Sequence, residues 1–163
     1  MSEKMAPLVV RGRIWKFGDS IDNGNIDGVM EGVDPEFKNK VVPGDILVAG
    51  RFFGMGASDE HAPRSLKQAG IAAIVAESIS NIYQRTLVNI GLPAMECPGI
   101  SRLVEEGDEI EIDFTSGKVR NLRSGQIRSG DKLPEIAVRI LQEGGLIPYL
   151  KGQFASKETP SRV

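Results

Sequence analysis

Pro43-Gly44-Asp45-Ile46-Leu47-Val48-Ala49-Gly50-Arg51-Phe52-Phe53-Gly54-Met55-Gly56-Ala57-Ser58-Asp59-Glu60-His61-Ala62-Pro63 reads as a turn, a buried strand, a glycine-rich bend and a helix start, in that order. The proline–glycine pair punctuates the chain, and the four apolar residues that follow the Asp suit a strand covered on both faces. Ser58 stands at the N-cap position of the coming helix, with Asp59 and Glu60 in its first turn, where negative charge meets the positive helix end. Ala62, Leu66 and Ala69 space out as the buried side of that helix, and Gly70 ends it. Residues 71–76 form a second apolar run. The stretch therefore predicts a strand–loop–helix–strand unit, the building block of a layered α/β domain.

The flanks agree. Residues 1–10 read as a leader, residues 11–152 as the folded domain and residues 153–163 as a polar, mobile tail. Residues 9–17 mix apolar and basic side chains as a strand, broken by Gly18-Asp19. Residues 22–32, rich in Asn, Asp and Gly, predict an irregular loop. Asp34-Pro35 predicts a short helical turn. Ile79, Ile82, Tyr83, Leu87 and Ile90 recur at helical spacing up to Gly91. Residues 109–114 alternate acidic and apolar, a half-exposed strand, and Thr115-Ser116-Gly117-Lys118 turns it into a hairpin. Residues 134–143 predict a helix with Ile136, Ala137, Ile140 and Leu141 inward, stopped by Gly144-Gly145.

Composition narrows the function. A chain of 163 residues suits one domain with a real core, and its 40% hydrophobic and 26% charged content is that of an ordinary globular protein. The net charge of −2 gives no basic surface for nucleic acid. No apolar run is long enough to span a bilayer and no signal peptide is visible, so a cytoplasmic protein is expected. Cys97 is the only cysteine. The chain can form no internal disulfide and cannot by itself ligate an iron–sulfur cluster. Cys97 reads as a small buried apolar residue, and no metal site is expected.

The chemistry should lie at residues 53–63. Glycines let a backbone approach a ligand closely, and a helix start offers unpaired N–H groups, a combination that suits a carboxylate or phosphate. An N-capped helix after a tight turn would look the same, so this signal gains weight only from its neighbours. These are Gly12-Arg13-Ile14-Trp15-Lys16-Phe17-Gly18-Asp19, Asp34-Pro35-Glu36-Phe37, Asn89-Ile90-Gly91-Leu92-Pro93 and Gly144-Gly145-Leu146-Ile147-Pro148-Tyr149-Leu150. With Pro43 to Gly50, Phe53-Gly54 and Glu60-His61-Ala62-Pro63 they run in one order over residues 12–152. In that order the chain resembles the small subunits of 3-isopropylmalate dehydratase and homoaconitase, and the matching C-terminal domain of aconitase.

The resemblance implies an α/β fold of the aconitase-type swivelling β/β/α kind, closing over a large aconitase-type subunit. It implies a hydro-lyase of leucine biosynthesis type, which removes and re-adds water on a hydroxy-acid carboxylate. No cofactor is expected in this chain, while a [4Fe–4S] cluster is expected in the partner. Gly54, Gly56, Ala57, Ser58 and Arg85 fall at substrate-binding positions, and Ser58 and His61 are the catalytic candidates.

The family loop reads Gly-Cys-Gly-Ser-Ser-Arg-Glu-His, and this chain departs from it. Met55 stands for the cysteine, Ala57 for the first serine and Asp59 for the arginine. In the family that serine is the proton-transfer base and that arginine grips a substrate carboxylate. Ala57 has no atom for the first role, and Asp59 puts a negative charge where a cation should be. Arg85 is the surviving cation of the Tyr83-Gln84-Arg85-Thr86 run, with a surface salt bridge as its plain alternative. His61 is as well read as a buried structural histidine as a catalytic one. The substrate-sorting loop is shortened to about residues 26–33. Three functions fit: a hydro-lyase subunit, for a standard or nonstandard hydroxy acid; a noncatalytic assembly or regulatory paralogue; and a free-standing small-anion binding domain.

Overall fold

The computed structural model describes residues 6–30, 32–56 and 61–158. Its organising element is β1 (Val9–Lys16), which serves two partners in turn. Residues 9–13 pair antiparallel with β5 (Glu109–Asp113), and residues 14–16 pair parallel with β2 (Ile46–Ala49). The parallel side continues through β3 (Ala73–Ala76) to β4 (Ala94–Glu96), and the antiparallel side through β6 (Lys118–Asn121) to β7 (Ile127–Ser129). One mixed seven-stranded sheet results, in the order β4-β3-β2-β1-β5-β6-β7. The first paired residues, Val9 and Val10, thus lie inside the span read as a leader.

Every residue of β2 and β3 is buried, as expected of parallel strands covered on both faces. Alternation along β2 divides the core. Ile46 and Val48 join Ile14, Val75, Met95, Ile110 and Ile112 on one face. Leu47 and Ala49 join Ile74, Phe53, Leu66, Tyr83 and Leu87 on the other. That second layer is closed by α1 (Asn23–Met30), α2 (Phe37–Lys40), α3 (His61–Gln68) and α4 (Asn81–Asn89), each of which contributes buried residues to it. The first layer holds α5 (Ile100–Leu103) and α6 (Glu135–Gln142), and Leu146 and Tyr149 of α7 (Leu146–Glu158) pack against it.

Several expectations are corrected. Residues 22–32 contain a helix, α1, where composition predicts an irregular loop. The Asp22 carboxylate accepts the Asn25 N–H at 2.9 Å, and Ile26 and Met30, four residues apart, are fully buried where α1 packs on α3. Tertiary burial of that pair outweighs the poor helix propensity of Asn and Gly. The shortened sorting segment is therefore part of the packed second layer. Strands β4 and β7 are short and were not foreseen. Ile136, expected inward, is 51% exposed, whereas Val138 is fully buried in α6; Ile82, one of the residues at helical spacing in α4, is 61% exposed. Asp34, expected as the cap of a helix beginning at Pro35, instead accepts the Glu36 N–H at 3.1 Å in a turn, and α2 begins at Phe37 with Glu36 before it.

Candidate functional site

The carboxyl ends of β1, β2 and β3 lead into loops 17–22, 50–56 and 77–80, which meet at one edge of the parallel half-sheet. Such an edge is where open α/β sheets place ligands. Segment 50–54 is clamped from both sides. The Asp19 carboxylate accepts the Arg51 N–H at 2.7 Å, and the Arg51 carbonyl accepts the Ser20 N–H at 2.7 Å. The Ser78 hydroxyl accepts the Phe52 N–H at 2.8 Å, its carbonyl accepts the Phe53 N–H at 3.0 Å, and Gly54 donates to Ile21 O at 2.8 Å. Further along, Met55 is bridged to Asp22.

Inside this clamp the backbone takes unusual conformations. Phe52, Gly54 and Gly56 have φ of 60°, 82° and 100°. For Phe52 this left-handed state costs about 1–3 kcal/mol, held in place by the surrounding hydrogen bonds. At Gly54 glycine is required twice over, because a Cβ would also run into the ring of Tyr83, which lies edge-on to Phe53. Gly54→Ala should therefore destabilise the chain by about 2 kcal/mol or more, from the left-handed penalty and the displaced ring. Chemical denaturation of the purified chain measures it.

Carboxylates at this edge are committed to backbone. Burial disfavours the charge on Glu77, but the N–H groups of Gly99 and Ser101, both at 2.7 Å, outweigh it and hold its pKa below the usual carboxylate range. Glu96 accepts the Ile79 N–H at 3.0 Å. These bonds fix loop 77–80 and the start of α5.

The expected site residues are placed as follows. Gly54 and Gly56 lie in the clamped loop. Ala57 and Ser58, with Asp59 and the expected N-cap, lie outside the described residues. His61 opens α3 and is exposed, so the buried structural role is excluded. Arg85 is exposed on α4, on the face opposite Tyr83. It lines a cavity of about 540 Å³ between α4 and α6, with Asn81, Lys132, Leu133 and Ile136. Asn81 directly follows Ser80, whose N–H bonds to Phe53 O at 3.1 Å, so the cavity begins where the loop's support ends. Phe52 is the feature sequence reasoning missed; only the proline-free Phe-Phe pair before Gly54 could have signalled it.

Cys97 is fully buried, and burial pushes its thiol pKa up to about 11, so it packs rather than reacts. Among the described residues no group of three or more His, Cys, Asp or Glu side chains could hold a metal. Nor is any helix among them long and apolar enough to cross a membrane.

Residues 15–99, which carry this whole edge, match the Aconitase C-terminal domain family. The chain belongs to the aconitase family. Family relatives extend over nearly all of it. The isopropylmalate/citramalate isomerase small subunit of Methanocaldococcus jannaschii is 45% identical over 92% of this chain and 98% of its own length. The 3-isopropylmalate dehydratase small subunit of Aquifex aeolicus is 41% identical over 90% and 97%. A crystal structure of 3-isopropylmalate dehydratase from Methanocaldococcus jannaschii superimposes with a TM-score of 0.84 at 30% identity, covering 92% of this chain and 98% of that one. The mixed sheet centred on β1 is thus an aconitase-family fold, as the motif order implies, and a small subunit of this family implies a large-subunit partner.

Proposed function

We propose that this chain is the small subunit of a hydro-lyase of the 3-isopropylmalate dehydratase type. It presents the Gly54–Gly56 loop to a hydroxy-acid carboxylate beneath a large subunit that carries a [4Fe–4S] cluster. The observation that supports this most is the clamped loop at the carboxyl edge, in a chain aligned end to end with family small subunits. One buried cysteine cannot hold a cluster, so no step through one is assigned to this chain.

The work of this chain is binding and positioning. Gly54 and Gly56 bring backbone close to the substrate, and Ser58 falls at a substrate-binding position of the family pattern. Arg85 lies on the face of α4 opposite the Tyr83 ring that abuts Gly54, so the fold does not bring it to the loop as a substrate cation. His61 is exposed at the start of α3, five residues beyond Gly56. Ala57 cannot exchange a proton. The names of the relatives point to a hydroxy dicarboxylate of the isopropylmalate or citramalate kind. Ala57 and Asp59 favour a second reading, a noncatalytic paralogue that keeps the fold and the partner.

Reconstitution with a cluster-loaded large subunit and a panel of hydroxy acids separates the two. Turnover of at least one hydroxy dicarboxylate is expected. Normal assembly without turnover of any panel member would establish the paralogue.

A further inference from the structure

We propose that Phe52 and Met55 are the anchor by which this chain seats on its large subunit, at the rim of the Gly54–Gly56 loop. The inference rests on the functional reading above and names the surface that reading leaves open.

Phe52 is 54% exposed and Met55 50%. Single exposed apolar residues are common, but Phe52 differs from them in how it is held. Its left-handed backbone (φ 60°) is imposed by the bonds from Asp19, Ser20 and Ser78 on residues 51–53. The next residue, Phe53, is fully buried against Tyr83. The clamp therefore buries one aromatic and holds its neighbour out in a fixed position. Met55 is bridged to Asp22. Phe52 and Met55 both belong to the clamped loop.

A rigid, half-exposed aromatic flanked by an adaptable methionine is a pre-organised protein-binding feature. Its ordering cost is already met on folding, and such anchors carry much of the binding energy at interfaces. The occupant follows from what the loop lacks. The chain has neither cluster ligands nor, at Ala57, a proton-transfer oxygen, so whatever completes a reaction at Gly54–Gly56 must come within contact of those glycines. A subunit that does so covers the side chains at residues 52 and 55 in the same approach. A small dicarboxylate has too little surface to cover both.

The test uses Phe52→Asn in the full chain. Asparagine tolerates left-handed φ, so the ring is removed without disturbing the backbone. Binding to the cluster-loaded large subunit is measured by titration, alongside thermal unfolding of the free chain and KM at saturating small subunit. Kd should rise at least tenfold for Phe52→Asn, with the free chain unfolding no earlier and KM unchanged. Binding within twofold of the parent overturns the anchor while leaving the functional reading intact. Unchanged binding with a raised KM does so too, placing the ring against substrate instead. If the parent chain itself fails to bind the large subunit, the functional reading falls and the anchor with it.

Discussion

Ala57→Ser combined with Asp59→Arg is expected to raise turnover of isopropylmalate-type substrates by the assembled pair about 10²-fold or more. A positioned proton-transfer group contributes on that scale. The serine supplies the oxygen that Ala57 lacks, and the arginine replaces a repelling carboxylate by a two-pronged carboxylate grip. Either change alone should give little, because proton transfer needs a held substrate and a held substrate needs a base. Steady-state hydration and dehydration kinetics with the cognate large subunit and an intact cluster measure it. The segment after Asp22 sets the competing outcome. Ile26 and Met30 are fully buried in α1, so this segment is fixed against α3 and is not free to wrap a substrate arm. A double variant that assembles normally but gains no activity would assign the difference to α1 or to another substrate.

Asp108→Asn should lose about 3 kcal/mol of stability at neutral pH and flatten the acid side of the stability profile. Asp108 is buried where β1 changes partners, its carbonyl accepting the Ile14 N–H at 2.8 Å. Its carboxylate accepts Arg123 Nε at 2.7 Å and Nη2 at 3.1 Å, Asn121 Nδ2 at 2.9 Å and the Glu105 N–H at 2.9 Å. Asn121 Nδ2 and the Glu105 N–H share Oδ2 and can keep an amide oxygen there. The cost therefore comes from setting the amide NH2 against the Arg123 Nε–H and losing the buried charge, moderated by the solvent exposure of Arg123. The Arg123 guanidinium, opposed by burial and aided by the Glu105 and Asn121 donors, holds the Asp108 pKa well below the usual carboxylate range. A depressed folded-state pKa means the unfolded chain takes up the proton first. The stabilisation is therefore present above the unfolded value of about 3.9 and is lost as pH falls below it. Urea titrations of the parent and Asp108→Asn between pH 7 and pH 3 should converge toward the acid end. A parallel pair of curves would show that Asp108 carries no linked proton.

The parallel strands were legible because their signal is local. Ile46–Ala49 and the run ending at Ala76 are continuous apolar segments between glycine turns, and no other reading buries them. Glu109–Asp113 alternates with period two and pairs as expected, and Gly144-Gly145 ends α6. Helix α1 was not legible, since Asn23, Gly24, Asn25 and Gly28 are poor helix formers and only packing of Ile26 and Met30 reveals it. The outward turn of Ile82 and Ile136 was hidden for a related reason. Helical spacing gives a stripe but not how α4 and α6 are rotated against the sheet. Of the site, the glycine-rich loop and the order of motifs were readable, together with the loss of serine and arginine at residues 57 and 59.

The sequence by itself determined the family, the one-cysteine limit on cofactor chemistry and the departures at residues 55, 57 and 59, because each is a matter of residue identity and order. Only the tertiary structure decided that Arg85 lies on the face of α4 opposite Tyr83, that His61 is exposed and that Phe52 is held out at the rim. Those facts depend on helix rotation and on hydrogen bonds between residues 51–54 and the distant Asp19 and Ser78. Contacts between segments far apart in the chain leave no periodic trace in the sequence of either one.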